Sequence, residues 1–174
     1  MKVHFAADPQ VDVSGNLMCY HVEGDETQSV SPDAFVVRGA AKHDRRIYEF
    51  WEEPVPNVVL EISSKKPRKD DLGKKKELYA WLDVREYFVF DPEYKLRPAL
   101  RVFRLREQEW VKEMINQKRV ASHELGLELV NTGQTLRLWH PATQKFLRTP
   151  AEEAARAARL AGKLRELGLD PDRI

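Results

Sequence analysis

Asn57 to Pro92 reads NVVLEISSKKPRKDDLGKKKELYAWLDVREYFVFDP. Its residue types run in the order strand, basic loop, helix, strand. Val58, Val59, Leu60 and Ile62 form a short apolar run without clear alternation, the pattern of a strand buried on both faces. Glu61 sits inside that run, and a carboxylate in a buried strand is costly unless it is paired or holds a metal. Lys65 to Lys69 breaks the pattern with Pro67 and four basic residues. Asp70 or Asp71 can cap and charge-match a helix N-terminus. The pattern predicts a helix over Leu72–Leu82 and a strand over Glu86–Phe90, stopped at Asp91-Pro92. A strand-helix-strand unit of this length implies a right-handed parallel crossover.

The predicted helix carries a second signal. At about 100° per residue with Leu72 at the origin, Tyr79 falls near ~340°, Leu82 near ~280° and Leu78 near ~240°. The apolar stripe is centred near ~300°, where Lys75 also falls, while Lys74 (~200°) and Lys76 (~40°) lie towards its edges. One lysine of the Lys74–Lys76 run therefore faces the sheet that carries Glu61. The plainer reading is a lysine whose stem lies on the core and whose ammonium reaches the rim.

The chain has 174 residues, 42% hydrophobic and 33% charged, with a formal net charge of +1. That length allows one domain with a real core and a tail. The net charge does not announce a nucleic-acid partner. The basic residues are nevertheless clustered, as Lys42, Arg45 and Arg46 and as Lys65, Lys66, Arg68, Lys69 and Lys74–Lys76, on loops that flank candidate carboxylates. Such clusters favour a polyanion. One cysteine, Cys19, excludes an intrachain disulfide and a cysteine-based zinc site. The histidines His4, His21, His43, His123 and His140 lack metal-ligand spacing. There is no glycine-rich phosphate loop and no G-x-S-x-G motif. No stretch is apolar enough to span a membrane and the N-terminus is not signal-like, so the expected location is the cytoplasm.

Upstream, Val13 precedes a Ser14-Gly15-Asn16 turn, Leu17–Val22 reads as a strand, and Ser29–Arg38 reads as a strand introduced by Pro32. Asp33 shares parity with Phe35 and Val37, which makes it a second carboxylate on an apolar strand face. Gly39–Glu53 reads as a long charged loop anchored by Tyr48, Phe50 and Trp51. Downstream, Arg101–Leu105, Trp110–Ile115, Leu127–Val130 and Thr135–Trp139 are short alternating runs with turns at Asn116-Gln117-Lys118 and Asn131-Thr132-Gly133, expected to extend or flank the sheet. Thr149–Gly168 reads as a tail helix opened by a capping box, Thr149-Pro150-Ala151-Glu152. Its seam, Ala157, Leu160, Leu164 and Leu167, spans barely two heptads and must pack on the domain or pair with another chain. The expected division is a domain over 1–148 and a helical tail over 149–174.

Several of these segments together resemble the Uma2 family, bacterial proteins of the PD-(D/E)XK nuclease superfamily. The segments are Ser31-Pro32-Asp33-Ala34-Phe35-Val36-Val37, Val58-Val59-Leu60-Glu61-Ile62-Ser63-Ser64, Asp71-Leu72-Gly73-Lys74-Lys75, Tyr79, Val84-Arg85-Glu86-Tyr87 and Asp91-Pro92. The resemblance covers roughly residues 14–145. It implies an α/β (mixed α+β) restriction-endonuclease-like fold: a central mixed sheet flanked by helices, here with added C-terminal strands and a C-terminal helix. It places the metal ligands at Asp33 and Glu61. The superfamily motif calls for lysine two residues after its acidic residue, but Ser63 stands there; in Uma2-like proteins a helix lysine fills that role, and Lys75 matches it. The long N-terminal region of many relatives is mostly missing ahead of Pro32, which leaves a third acidic ligand unassigned.

The resemblance implies a metal-dependent endonuclease acting on DNA. Asp33 and Glu61 would hold Mg²⁺ or Mn²⁺ with the Ile62 carbonyl as an extra ligand. Lys75 would support the attacking water and the phosphate charge. Lys65, Lys66, Arg68 and Lys69 would engage the phosphate backbone, and the chain would act as a homodimer. The alternative is a degenerate nuclease-fold module that binds nucleic acid or mediates assembly without cleavage.

Overall fold

The structure, a computed structural model, describes residues 1–63, 71–113, 115 and 118–170. At its centre is a six-stranded mixed sheet in the order β1 (Val11–Ser14), β4 (Ala34–Arg38), β6 (Val58–Ile62), β7 (Glu86–Phe90), β8 (Leu100–Arg106) and β9 (Glu109–Lys112). β6 and β7 pair in parallel, joined across helix α1 (Lys74–Trp81), and the sheet's other neighbours are antiparallel. The expected strand-helix-strand unit is therefore present. Asp71 and Leu72 are already helical, and a turn at Gly73 separates them from the regular helix, which has Gly73 as its cap residue and no side-chain cap. Asp71 is not the cap residue; its carboxylate meets Lys75 (Oδ1 to Nζ, 3.3 Å). Asp70 lies outside the described residues.

Both faces of the central sheet are covered, which explains the unbroken apolar runs. Val58, Phe88, Phe90 and Val102 point to one face, where they pack with Val120, Leu125, Leu127 and Leu129. Val59, Tyr87, Val89 and Phe103 point to the other, where they meet Phe35, Tyr48, Tyr79 and Leu82. Alternation along β6 places Glu61 with the second group, on the α1 side.

The cover on the first face is a separate four-stranded antiparallel sheet, β10 (Arg119–Ser122), β11 (Leu127–Asn131), β12 (Leu136–His140) and β13 (Lys145–Phe146). Of the strands expected after Pro92, β8 and β9 extend the central sheet and the later ones flank it. A buried ion pair within the central sheet, Arg104 on β8 with Glu86 on β7, is tied to the second layer: Glu86 accepts from the Ser122 hydroxyl and the His123 backbone N–H, and Arg104 donates to the Ala121 carbonyl. Burying Glu86 is tolerable because these donors surround it.

A small sheet, β3 (Ser29–Val30), β2 (Met18–Tyr20) and β5 (Ile47–Glu49), lies towards the N-terminal side. Ser29–Arg38 is thus two strands, with Ser31, Pro32 and Asp33 between them. Pro32 lacks an N–H, so pairing breaks there. Gly39–Glu53 is not all loop, because β5 pairs in parallel with β2.

Helix α2 (Pro150–Glu166) has the expected capping box: Thr149 Oγ1 accepts from Glu152 N at 3.2 Å and Thr149 N donates to Glu152 Oε2 at 2.7 Å. No residue of α2 is buried. Leu160 is 47% and Leu167 74% exposed, so the apolar seam is not spent on the domain. Among the described residues, no helix is long and apolar enough to cross a membrane.

Candidate active site

Asp33, Glu61 and Lys75 come from three different segments. β4 and β6 pair antiparallel with Ala34 opposite Leu60. One further step of that register sets Asp33 opposite Glu61, and directly opposed residues share a sheet face. Asp33 is anchored by Ile62, whose backbone N–H donates to Asp33 Oδ2 at 2.6 Å. Its backbone is held from behind by the Ser14-Gly15-Asn16 turn: Asn16 N–H donates to Pro32 O at 2.8 Å. A Cβ on Gly15 would come within 2.2 Å of the Asp33 carbonyl oxygen, so only glycine permits this approach.

Glu61 is 2% exposed. Its Oε1 accepts from the Tyr79 hydroxyl at 2.8 Å and lies 2.9 Å from Lys75 Nζ. The helical-wheel reading thus placed Lys75 on the inner face, where the structure has it. Lys74 is exposed, and the Lys76 ammonium sits over the Phe103 ring, 4.6 Å from its centroid. The Lys75 ammonium also contacts Asp71, and Tyr87 OH donates to the Asp71 carbonyl at 2.8 Å.

Burial pushes the Glu61 carboxyl up to about 7, against the opposing pull of Lys75 and the Tyr79 hydroxyl; the nearby Asp33 charge pushes it further up. Burial alone would lower the Lys75 ammonium, but Glu61 and Asp71 more than reverse this and hold it above its ordinary value. Burial and then the Glu61 charge keep the Tyr79 phenol well above the usual range, so it remains an O–H donor.

Neither Glu61 Oε2 nor Asp33 Oδ1 takes a hydrogen bond from the described residues. Both are hard oxygen donors of the kind a small hard cation takes from one or two carboxylates while keeping several waters. No group of three or more histidine, cysteine, aspartate or glutamate side chains able to hold a metal is found among the described residues. Ser63, which stands where the resemblance called for a lysine, is wholly buried, and its hydroxyl has no hydrogen-bond partner among the described residues. Asp33 also lines a cleft of about 590 Å³ with Lys2, Ser14, Asn16 and Arg148.

The expected phosphate-binding residues Lys65, Lys66, Arg68 and Lys69 lie outside the described residues. Of the other basic group, Lys42 and Arg46 are exposed and Arg45 is enclosed. Arg45 is 3% exposed, paired with Asp12 at 3.0 Å and Glu53 at 2.5 Å. Lys42 Nζ donates to the carbonyls of Phe5 and Ala6. Only Arg46 of that trio is exposed without a partner of this kind. Sequence reasoning gave Asp71 and Tyr79 no role at the site. Their spacing was the available signal: Asp71, Lys75 and Tyr79 recur every four residues, which stacks them on one helical face.

A mixed sheet flanked by a helix, with two carboxylates on adjacent strands and an inward lysine, is an arrangement of the restriction-endonuclease-like class. The family profile Uma2, described as "Putative restriction endonuclease", matches residues 3–137, a span that contains all three residues. The chain belongs to the Uma2 family. It is also similar to the crystal structure of a "putative nuclease belonging to DUF820" from Anabaena variabilis ATCC 29413, with a TM-score of 0.49 and 17% identity, covering 71% of this chain and 65% of that one. The match thus spans about two thirds of the Anabaena chain's length. No curated protein matches this chain.

Proposed function

We propose that the chain is a metal-dependent endonuclease that hydrolyses DNA phosphodiester bonds in the cytoplasm, with Asp33 and Glu61 holding Mg²⁺ or Mn²⁺. The observation that carries this reading is the approach of Lys75 Nζ to within 2.9 Å of a buried glutamate, on the sheet face that Asp33 shares. When bound, a divalent cation supplies Lewis-acid polarisation of the phosphate and a water acidic enough to attack it. The chain's own groups do the remaining work. Asp33 and Glu61 offer Oδ1 and Oε2, and the Ile62 carbonyl offers a further oxygen donor at the same strand end. Lys75 holds a fixed positive charge where negative charge develops on the phosphate, and orients the water. No protein nucleophile is required. Lys65, Lys66, Arg68 and Lys69 bind the phosphate backbone without reading bases. The test is purified protein with supercoiled plasmid: Mg²⁺ or Mn²⁺ is expected to give nicked and linear DNA, EDTA none, and cleavage indifferent to EDTA would reject the reading.

Ser63 favours a second reading, a nucleic-acid-binding or assembly module on a nuclease fold that has lost turnover. The same assay separates the two, because that module retains DNA without cutting it.

A pH dependence follows from Glu61. Its carboxyl must lose a proton to take a cation, and that proton is held until about pH 7. Mn²⁺ affinity is therefore expected to be about tenfold weaker at pH 6 than at pH 8. Titration calorimetry at the two values checks this, and a flat profile would show that Glu61 is not a ligand.

Assembly is proposed as a homodimer through the α2 seam, Ala157, Leu160, Leu164 and Leu167, since two chains related by a two-fold axis bring two sites to a duplex. Light scattering at micromolar concentration is expected to give twice the chain mass for the full chain. A monomer would refute the dimer, whereas a chain ending at Arg148 that stays dimeric would refute only the role of α2.

A further inference from the structure

Tyr79 stands beside the candidate cation site with no role yet attached to it. Its side chain is fully buried. Its ring packs 5.1 Å, centroid to centroid, from that of Tyr87, within the apolar cluster that also holds Val59 and Leu82. The hydroxyl donates to Glu61 Oε1, the same oxygen that meets Lys75 Nζ. One oxygen of the carboxylate thus carries two donors, and the other carries none from the described residues.

We propose that Tyr79 is a positioning residue that fixes the Glu61 carboxylate so that Oε2 alone faces the cation, making Glu61 a one-oxygen ligand. This rests on the reading of Asp33 and Glu61 as a cation site. The terminal torsion of a glutamate is soft and roughly two-fold, so nothing intrinsic to the side chain chooses between its oxygens. Lys75 alone is a poor lock. Its ammonium ends a flexible chain, is 26% exposed and is shared with Asp71. The Tyr79 ring has two torsions, both held by packing, so its hydroxyl is a fixed donor. The consequence is metal selectivity. A carboxylate limited to one oxygen suits the compact octahedral shell of Mg²⁺ or Mn²⁺, whereas Ca²⁺ commonly takes carboxylates through both oxygens.

Tyr79→Phe removes only the hydroxyl. Tyr87→Phe is the matched control, removing an equally buried hydroxyl that donates to a backbone carbonyl rather than to Glu61. Calorimetric titration of the full chain is expected to show Mn²⁺ binding weakened about 10- to 100-fold in Tyr79→Phe, with Ca²⁺ weakened less, and neither changed in Tyr87→Phe. Equal Kd values for Tyr79→Phe and the unsubstituted chain, or equal losses in the two variants, would overturn the positioning role. Absence of Mn²⁺ binding by the unsubstituted chain would overturn the cation site itself, and this proposal with it. A measurement without any variant guards against misfolding of Tyr79→Phe. The infrared difference spectrum of ¹³C-glutamate-labelled protein on adding Mn²⁺ is expected to show the wide carboxylate splitting of one-oxygen coordination, and the narrow splitting of two-oxygen coordination would reject the proposal.

Discussion

Lys75→Met is expected to lower DNA-cleavage turnover by about 100- to 1,000-fold while leaving DNA affinity close to that of the unsubstituted protein. The ammonium is 2.9 Å from Glu61 and its side chain is only 26% exposed, so the role proposed for it is on the reacting phosphate rather than in gathering DNA. Lys74 is exposed on the same helix and is the internal control: Lys74→Met should change turnover little. Removing Lys75 also leaves Glu61 with Tyr79 as its remaining donor. The melting temperature should therefore fall more at pH 8, where Glu61 must stay charged, than at pH 6, where it can take up a proton. Equal losses of activity in Lys74→Met, Lys75→Met and Lys76→Met would mean that the three lysines form a phosphate-binding patch with no catalytic member.

Glu61→Gln is expected to lower cleavage by about 1,000-fold or more, because it deletes a charge proposed to hold the cation. Its effect on stability should run the other way. The folded-state carboxyl titrates near 7 against an ordinary value of 4.5, so the folded protein binds more protons than the unfolded chain between those values. Stability then falls as pH rises through that window, and the full cost of the buried charge is present above pH 7. Glutamine carries no such charge and can still accept from Tyr79. The variant should be at least as stable as the unsubstituted protein at pH 8, with a gain of at most about 3 kcal/mol, and should lack the decline between pH 5 and 7. Urea melts at the two pH values measure both effects. A variant that unfolds on purification would show that Glu61 is chiefly structural.

The centre of the fold was legible because its signals are local. The apolar run around Glu61 and the repeat that turns Lys75 inward are set by strand and helix period alone, and Asp33 was marked by its parity with Phe35 and Val37. What was not legible depends on contacts between distant segments. Arg45 looked like part of a polyanion surface, but Asp12 and Glu53 enclose it, and no spacing rule links those three positions. Asp71 looked like a helix cap because an aspartate before a helix usually is one; a charged partner one turn on competes with that role, and Lys75 provides it. Glu86 was read only as the first residue of a strand, and only the arrival of Arg104 and Ser122 from later strands makes its burial tolerable. Arg119–Ser122 is too short and too mixed to announce a strand, and it forms one by pairing with Leu127–Asn131. At the site itself the three residues were nameable, whereas the contacts that orient them, from Ile62 N–H to Asp33 and from Tyr79 to Glu61, depend on register and packing.

The proposed site requires that Asp33 and Glu61 together hold a divalent cation. Its most direct test is a Mn²⁺ titration of the full chain at pH 8 beside the double variant Asp33→Asn/Glu61→Gln. One principal site per chain is expected, with a rise in melting temperature on binding, both lost in the double variant. An unchanged titration in the double variant would contradict it.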